Sequence, residues 1–147
     1  MDADILSANA SELASLERLV ARLSPADLAR DLGDGWTVAA ALGHLAFWDS
    51  RARLILERLG AGQPLPAEGF EWYESDLLND ALAPQWRVLP PPESVRLALD
   101  AARAVNQAVT GVAPAVEKAL VAADKAWVLR RANHRREHID QIEAALH

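Results

Sequence analysis

Six of the eight prolines in this 147-residue chain lie between residues 61 and 92, at positions 64, 66, 84, 90, 91 and 92. Proline lacks the backbone donor and clashes with the preceding helical turn, so this span favours neither a long helix nor a central strand. The span is too long for a tight helical hairpin. It is expected to carry a short helix, ESDLLNDAL, and to cross from one end of a helical bundle to the other.

On both sides the apolar residues recur at three- and four-residue steps, the period of an α-helix. A first helix is expected from about Asp4 to Leu23, through Ile5, Leu13, Leu16, Leu19, Val20 and Leu23. Ser24-Pro25 stops it, and Pro25 suits the first turn of a short connecting helix, PADLARDL. Gly33-Asp34-Gly35 reads as a turn. A second helix, VAAALGHLAFWDSRARLILERL, then opens with Thr37 as N-cap and closes on Gly60 as C-cap. Gly43 inside it costs up to about 1 kcal/mol relative to alanine, and close approach by a neighbouring helix is a simple reason for it. The third helix runs from PPPESV to about Val112, through Val95, Leu97, Leu99, Ala102, Val105 and Val109, with Gly111 and Pro114 at its end. A short piece, PAVEKALVAA, precedes a fourth helix from about Asp124 to the C-terminus. Alanine and leucine dominate and Tyr73 is the only tyrosine, which favours helix over strand. The expectation is an all-α chain, residues 1–147 as a single domain, in a four-helix bundle with a long crossover between helices two and three.

There is no cysteine, which excludes a disulfide framework, thiolate metal ligands and a cysteine nucleophile together. The net charge of -6 argues against a nucleic-acid partner. Arginines recur at 130, 131, 135 and 136, but acids surround them, and a solvated helix face accounts for them as well as a basic patch does. The N-terminal MDADILSANASEL has no basic region ahead of an apolar run, and no apolar stretch approaches a membrane span. A soluble cytoplasmic protein without a membrane partner is the expectation.

The closing stretch ANHRREHIDQIEAALH, residues 132–147, holds three of the four histidines. With side chains advancing about 100° per residue, His134 falls about 40° to one side of His138, and Trp127, Arg131 and Ile142 lie within about 40° of it. Lys125 and Leu129 lie well away. On helix two, Trp48 lies about 40° from His44, which sits at the edge of that helix's apolar stripe, whereas Asp49 lies about 140° away. Neutral imidazoles at i and i+4 can share one ion, and a third from a facing helix completes a set of three that keeps a position open for water or substrate. His44, His134 and His138 are therefore the candidate metal ligands; the alternative is that they are hydrogen-bonded core histidines. HRREH also fits the H-x-x-E-H pattern in which Glu137 would be a catalytic base. That pattern needs an acidic ligand further downstream, and the chain ends nine residues after His138. Glu137 is expected to face partly outward or to bond behind the site. HExxH fails because residue 135 is arginine.

GWTVAAALGHLAFWD at 35–49 and HRREHIDQIEAAL at 134–146 resemble the two signature stretches of the DinB/YfiT-like family. The resemblance extends over the whole chain in helix order and length. It implies an up-down-down-up four-helix bundle, a divalent metal (zinc, nickel or iron) on His44, His134 and His138, and a homodimer. The activities it implies are thiol S-transfer, using a low-molecular-weight thiol, and maleylpyruvate isomerisation. A thiol transferase fits a chain without cysteine, because the cofactor supplies the nucleophile and the metal lowers its pKa. Arg131 would then hold the thiol's carboxylates, although an arginine whose stem packs while its head reaches solvent fits the same position. Trp36, Trp48, Trp72, Trp86 and Trp127 could line a pocket for an apolar electrophile. Trp48 and Trp127 read equally as core, and Trp72 and Trp86 as packing for the crossover. Three functions compete: transfer of a thiol to a small electrophile, hydrolysis by metal-activated water, and a non-catalytic dimeric stress-related binding protein.

Overall fold

The computed structural model describes residues 1–65 and 72–147, and the described chain is mostly helical. Pro66 and the Trp72 side chain lie outside the described part. Helix α1 (Ala3–Ala21) starts at Asp2, whose side chain accepts from the Asp4 amide. Helix α2 (Pro25–Leu28) opens with a capping box between Ser24 and Asp27 and has Pro25 in its first turn, as expected.

The Gly33-Asp34-Gly35 turn joins two short antiparallel strands not anticipated from the sequence, β1 (Asp31–Gly33) and β2 (Trp36–Thr37). All three turn residues have positive φ, at 96°, 52° and 77°, which glycine adopts without penalty and aspartate tolerates. A period-two pattern is invisible in strands of three and two residues.

Helix α3 (Val38–Gly60) begins where expected, with the Thr37 hydroxyl accepting from the Ala40 amide at 3.1 Å. Its far end differs slightly. Gly60 is the last helical residue, Ala61 caps it, and the left-handed glycine that turns the chain away is Gly62. Every residue from Val38 to Ala46 is buried, so this half of α3 is surrounded by neighbours. Alanines 39, 40 and 41 and Gly43 keep its girth small enough for that. A Cβ on Gly43 would lie 3.2 Å from Trp86 Cδ1, so the close approach inferred for this glycine is real.

Helix α4 (Trp72–Val88) is much longer than ESDLLNDAL and runs through Pro84. The physical reason is packing: Ala83 and Trp86, either side of the exposed Pro84, are buried against α3 around Ala40. Helix α5 (Pro91–Thr110) and the short α6 (Pro114–Ala122) follow the expected bounds. The fourth long helix does not. Residues Ala126–Val128 form a single 3-10 turn, and α7 begins only at Arg131 and ends at Leu146. Angles carried back to Trp127, Val128 and Leu129 along a continuous helix therefore do not apply. Val128 and Leu129 are both fully buried, which one face of a helix could not achieve for adjacent residues so readily.

Helices α1, α3, α5 and α7 pack on one another, with the α3–α5 pair the most extensive. One apolar cluster holds Leu16, Leu19, Leu42, Leu45, Ala98, Ala102, Ile139 and Ile142. A second holds Ala52, Leu56, Val105, Val109, Leu120, Val128 and Leu129. Along α3, Asp49 falls between the two, and a buried polar layer forms around it. No described helix is long and apolar enough to cross a membrane.

Candidate metal centre

Asp49 is 1% exposed, and its carboxylate accepts from two arginines: Arg131 Nε to Oδ1 at 2.8 Å and Arg135 Nε to Oδ2 at 3.0 Å. These arginines are 3% and 0% exposed, so the solvated-face reading is wrong for them, while Arg130 and Arg136 are exposed as it requires. Burial favours loss of the Arg135 proton, and Asp49 opposes it. The remaining Arg135 donors reach the Asn9 carbonyl, Asn106 Oδ1 and the Ala102 carbonyl. One carboxylate thus faces two buried guanidiniums, an arrangement tolerable only because nearly every donor is satisfied. Asp49 is not one of the converging metal-ligand candidates, in keeping with its helical angle; its role in anchoring α7 was not visible from that angle.

Asn9 of α1 is the second anchor. It is buried, accepts from the Ala132 amide through Oδ1 at 2.9 Å, and donates through Nδ2 to the Leu129 carbonyl at 2.8 Å. Arg130, the residue before α7, supplies no side-chain cap, so Asn9 caps the helix from a distance. Nothing local in the sequence marks a cap that lies 120 residues away. Asn9 and Asp49 together fix the start and rotation of α7, and hence the direction of its histidines.

Within this frame the three candidate ligands converge. One ring nitrogen from each of His44, His134 and His138 lies within 4.8 Å of the others, and His44 Nε2 is 3.0 Å from His134 Nε2. Indoles wall His44: the ring centroids of Trp36 and Trp86 lie 5.6 and 5.2 Å away, both edge-on. Desolvation, with positive charge at His138 and Arg131 adding to it, lowers the His44 pKa to about 3. Asn79 opposes that shift, although no hydrogen bond of normal geometry reaches the buried His44 Nδ1. The same causes lower His134 to about 2, and burial lowers His138. All three are neutral at pH 7, the form a cation requires.

The hydrogen bonds assign the tautomers. Arg131 Nη2 lies 3.3 Å from His134 Nδ1 and can only donate, so His134 Nδ1 accepts and Nε2–H donates to His44 Nε2. His138 Nδ1 donates to Gln141 Oε1 at 3.2 Å, leaving its Nε2 lone pair available. Tetrahedral bonds of about 2.0–2.1 Å place ligand nitrogens about 3.3 Å apart. The 3.0 Å between His44 and His134 and the limit of 4.8 Å on the whole set are compatible with that value, so the residues fit a divalent cation. A cation held by His134 Nε2 would take the place of that proton, and the contact of Nδ1 with Arg131 would loosen.

The histidines open into a cavity of about 940 Å³, which Trp36, Trp48, Arg51, Trp127, Arg131 and Glu137 help to line. Trp48 is buried and donates from Nε1 to Asn79 Oδ1 at 2.8 Å. Trp127, at 36% exposed, is not core; its ring belongs to the cavity wall and its carbonyl accepts from Arg131 Nη1 at 3.2 Å. Trp86 packs α4 onto α3, as one of the two sequence readings has it. Arg131 does line the cavity, but its head does not reach solvent, and each of its three nitrogens has a protein partner. Glu137 is exposed at the cavity and outside the histidine cluster. His147 is exposed beside Glu143 and takes no part.

The family model of the DinB superfamily, whose members are in general metal-binding, matches residues 10–142. No curated protein and no solved structure was found to match the chain.

Proposed function

The chain belongs to the DinB superfamily, and from that premise we propose that it is a metal-dependent enzyme transferring a low-molecular-weight thiol to a small electrophile. The observation that carries this reading is the convergence of three neutral imidazoles on one point at the floor of a ligand-sized cavity. His44, His134 and His138 would hold the ion, with zinc, nickel or iron as candidates suited to imidazole donors. Bound there, the cation would supply Lewis acidity, lowering the pKa of a thiol that shares the site. The chain's own residues do the rest. Gln141 orients His138, Asp49 and Asn9 orient α7, and Trp36, Trp48 and Trp127 offer apolar walls that exclude water around the electrophile.

The same premise supports reading α1, α3, α5 and α7 as an up-down-down-up bundle, with the proline-rich span 61–92 as its crossover, and the working assembly as a homodimer in the cytoplasm. A second reading, hydrolysis by activated water, is favoured by Glu137, a carboxylate on the cavity wall one residue before His138.

Elemental analysis after gel filtration tests the metal: one divalent ion per chain is expected, and His134→Ala should lose it. Metal-free protein from a metal-replete preparation would sink the reading. Mass spectrometry of products from an electrophile and a thiol panel then separates the two chemistries. A thioether adduct supports transfer; a hydroxyl adduct supports hydrolysis.

A further inference from the structure

The ring nitrogens that the three histidines turn away from one another have unequal partners. Nδ1 of His138 has Gln141 Oε1 at 3.2 Å, and Nδ1 of His134 has Arg131 Nη2 at 3.3 Å. Nδ1 of His44 is buried, and no hydrogen bond of normal geometry reaches it. The other His44 nitrogen, Nε2, is the one that faces His134, at 3.0 Å. A neutral imidazole that gives one nitrogen to a cation carries its hydrogen on the other. With an ion on Nε2, the orphaned Nδ1 therefore becomes a buried N–H donor that requires an acceptor.

Asn79 of α4, which no sequence pattern singled out, offers one. It lines the cavity that holds the histidines, and its Oδ1 accepts from Trp48 Nε1 at 2.8 Å. Trp48 stands one turn beyond His44 on α3, with the two ring centroids 6.3 Å apart. An indole nitrogen can only donate, so this bond fixes which end of the Asn79 amide is oxygen and turns that oxygen toward α3. An amide oxygen has two lone pairs, and Trp48 occupies one of them. Asn79 also acts on His44 against the effect of burial, favouring the ring N–H, which is the sign expected of an acceptor.

We propose that Asn79 is the positioning residue of His44: its Oδ1, oriented by Trp48, takes the Nδ1–H of His44 when Nε2 holds a cation. An N–H held in this way fixes the rotation of the ring and makes Nε2 a better donor to the ion. Asn79 then does for His44 what Gln141 does for His138, and α4 joins α3 and α7 in building the centre. The inference rests on the proposed function in taking the three histidines for a cation site. It goes beyond that reading in bringing the crossover helix to the site.

Zinc titrated into chelator-treated protein, in competition with a chromophoric chelator, tests it. Asn79→Leu removes the acceptor at similar volume and should weaken zinc binding by roughly ten- to a hundredfold, the scale of losing the partner behind a ligand. Asn79→Asp keeps an acceptor oxygen and should bind at least as tightly as wild type. If Asn79 does no more than tie Trp48 to α4, Asn79→Leu will melt earlier yet bind zinc like wild type, which overturns the proposal. Asn79→Asp binding as weakly as Asn79→Leu overturns it too. Nitrogen-15 NMR of zinc-loaded wild type needs no variant to fold: the His44 Nδ1–H should appear as a hydrogen-bonded, slowly exchanging ring proton, and free exchange with water refutes the assignment. Wild type that binds no zinc removes this inference together with the metal site beneath it. Zinc binding of equal strength in wild type and Asn79→Leu removes this inference alone.

Discussion

Replacing Asp49 with asparagine keeps its shape and removes its charge, which isolates what the carboxylate contributes. Two guanidiniums, each less than a twentieth exposed, then lose the carboxylate that both of them pair with. At about 4 Å and an effective dielectric near 20, each ion pair is worth about 4 kcal/mol. Against the two pairs stands the several kcal/mol spent in desolvating the carboxylate itself. The net loss is about 3–5 kcal/mol, the range found when a buried pair loses one partner. Domains of this size are stable by about 5–15 kcal/mol, so the variant should lose a fifth or more of its stability. Urea unfolding followed by circular dichroism would show the midpoint fall with the slope unchanged. A double-mutant cycle with Arg135→Leu should give a coupling of about 1.5–3 kcal/mol. A loss below about 1 kcal/mol, or simple additivity, would refute the claim that this carboxylate fixes α7.

Asn9→Ala orphans the Ala132 amide and the Leu129 carbonyl, so it should cost about 2–3 kcal/mol and weaken metal binding measured by calorimetry, although residue 9 touches no ligand. The folded pKa values of His44 and His134, about 3 and about 2, lie below the ordinary value near 6.5. The unfolded chain therefore takes up protons below about pH 6.5 that the folded chain refuses until near pH 3, and stability falls as pH falls through that window. Chelator-treated protein should lose about 2 kcal/mol per such histidine between pH 7 and pH 5, and His44→Gln should flatten the profile; an equal pH dependence in the two proteins would contradict the assignment. Gly43→Ala gains about 1 kcal/mol of helix propensity but presses a methyl to 3.2 Å from a buried Trp86, so a net loss of about 1 kcal/mol is expected, read as a lower Tm.

Local chemistry made much of this structure legible in the sequence. Thr37, Ser24 and Pro25 act through groups within three residues, and each lies at the boundary its pattern indicates. The histidine triad was legible for a related reason, since helical periodicity turns one pair inward and the facing helix brings the third. What failed depended on contacts across the fold. Pro84 lies inside a helix because Trp86 is buried against α3, an effect of packing that no local pattern carries. The break before α7 is held by Asn9, far away in sequence, so periodicity alone extended the helix through it. Arg131 and Arg135 read as surface charge because their compensating partner, Asp49, lies on another helix.

That break has a consequence for how such a chain can change. The histidines are carried by two helices whose rotation the core and the polar layer determine. Trp127 stands on a separate 3-10 turn, and Asp34 and Trp36 on a two-stranded hairpin. Substitutions in residues 33–36 or 126–130 can reshape the cavity's mouth while the spacing of His134 and His138 stays untouched. Part of the cavity wall can thus be retuned without moving the helices that carry the histidines.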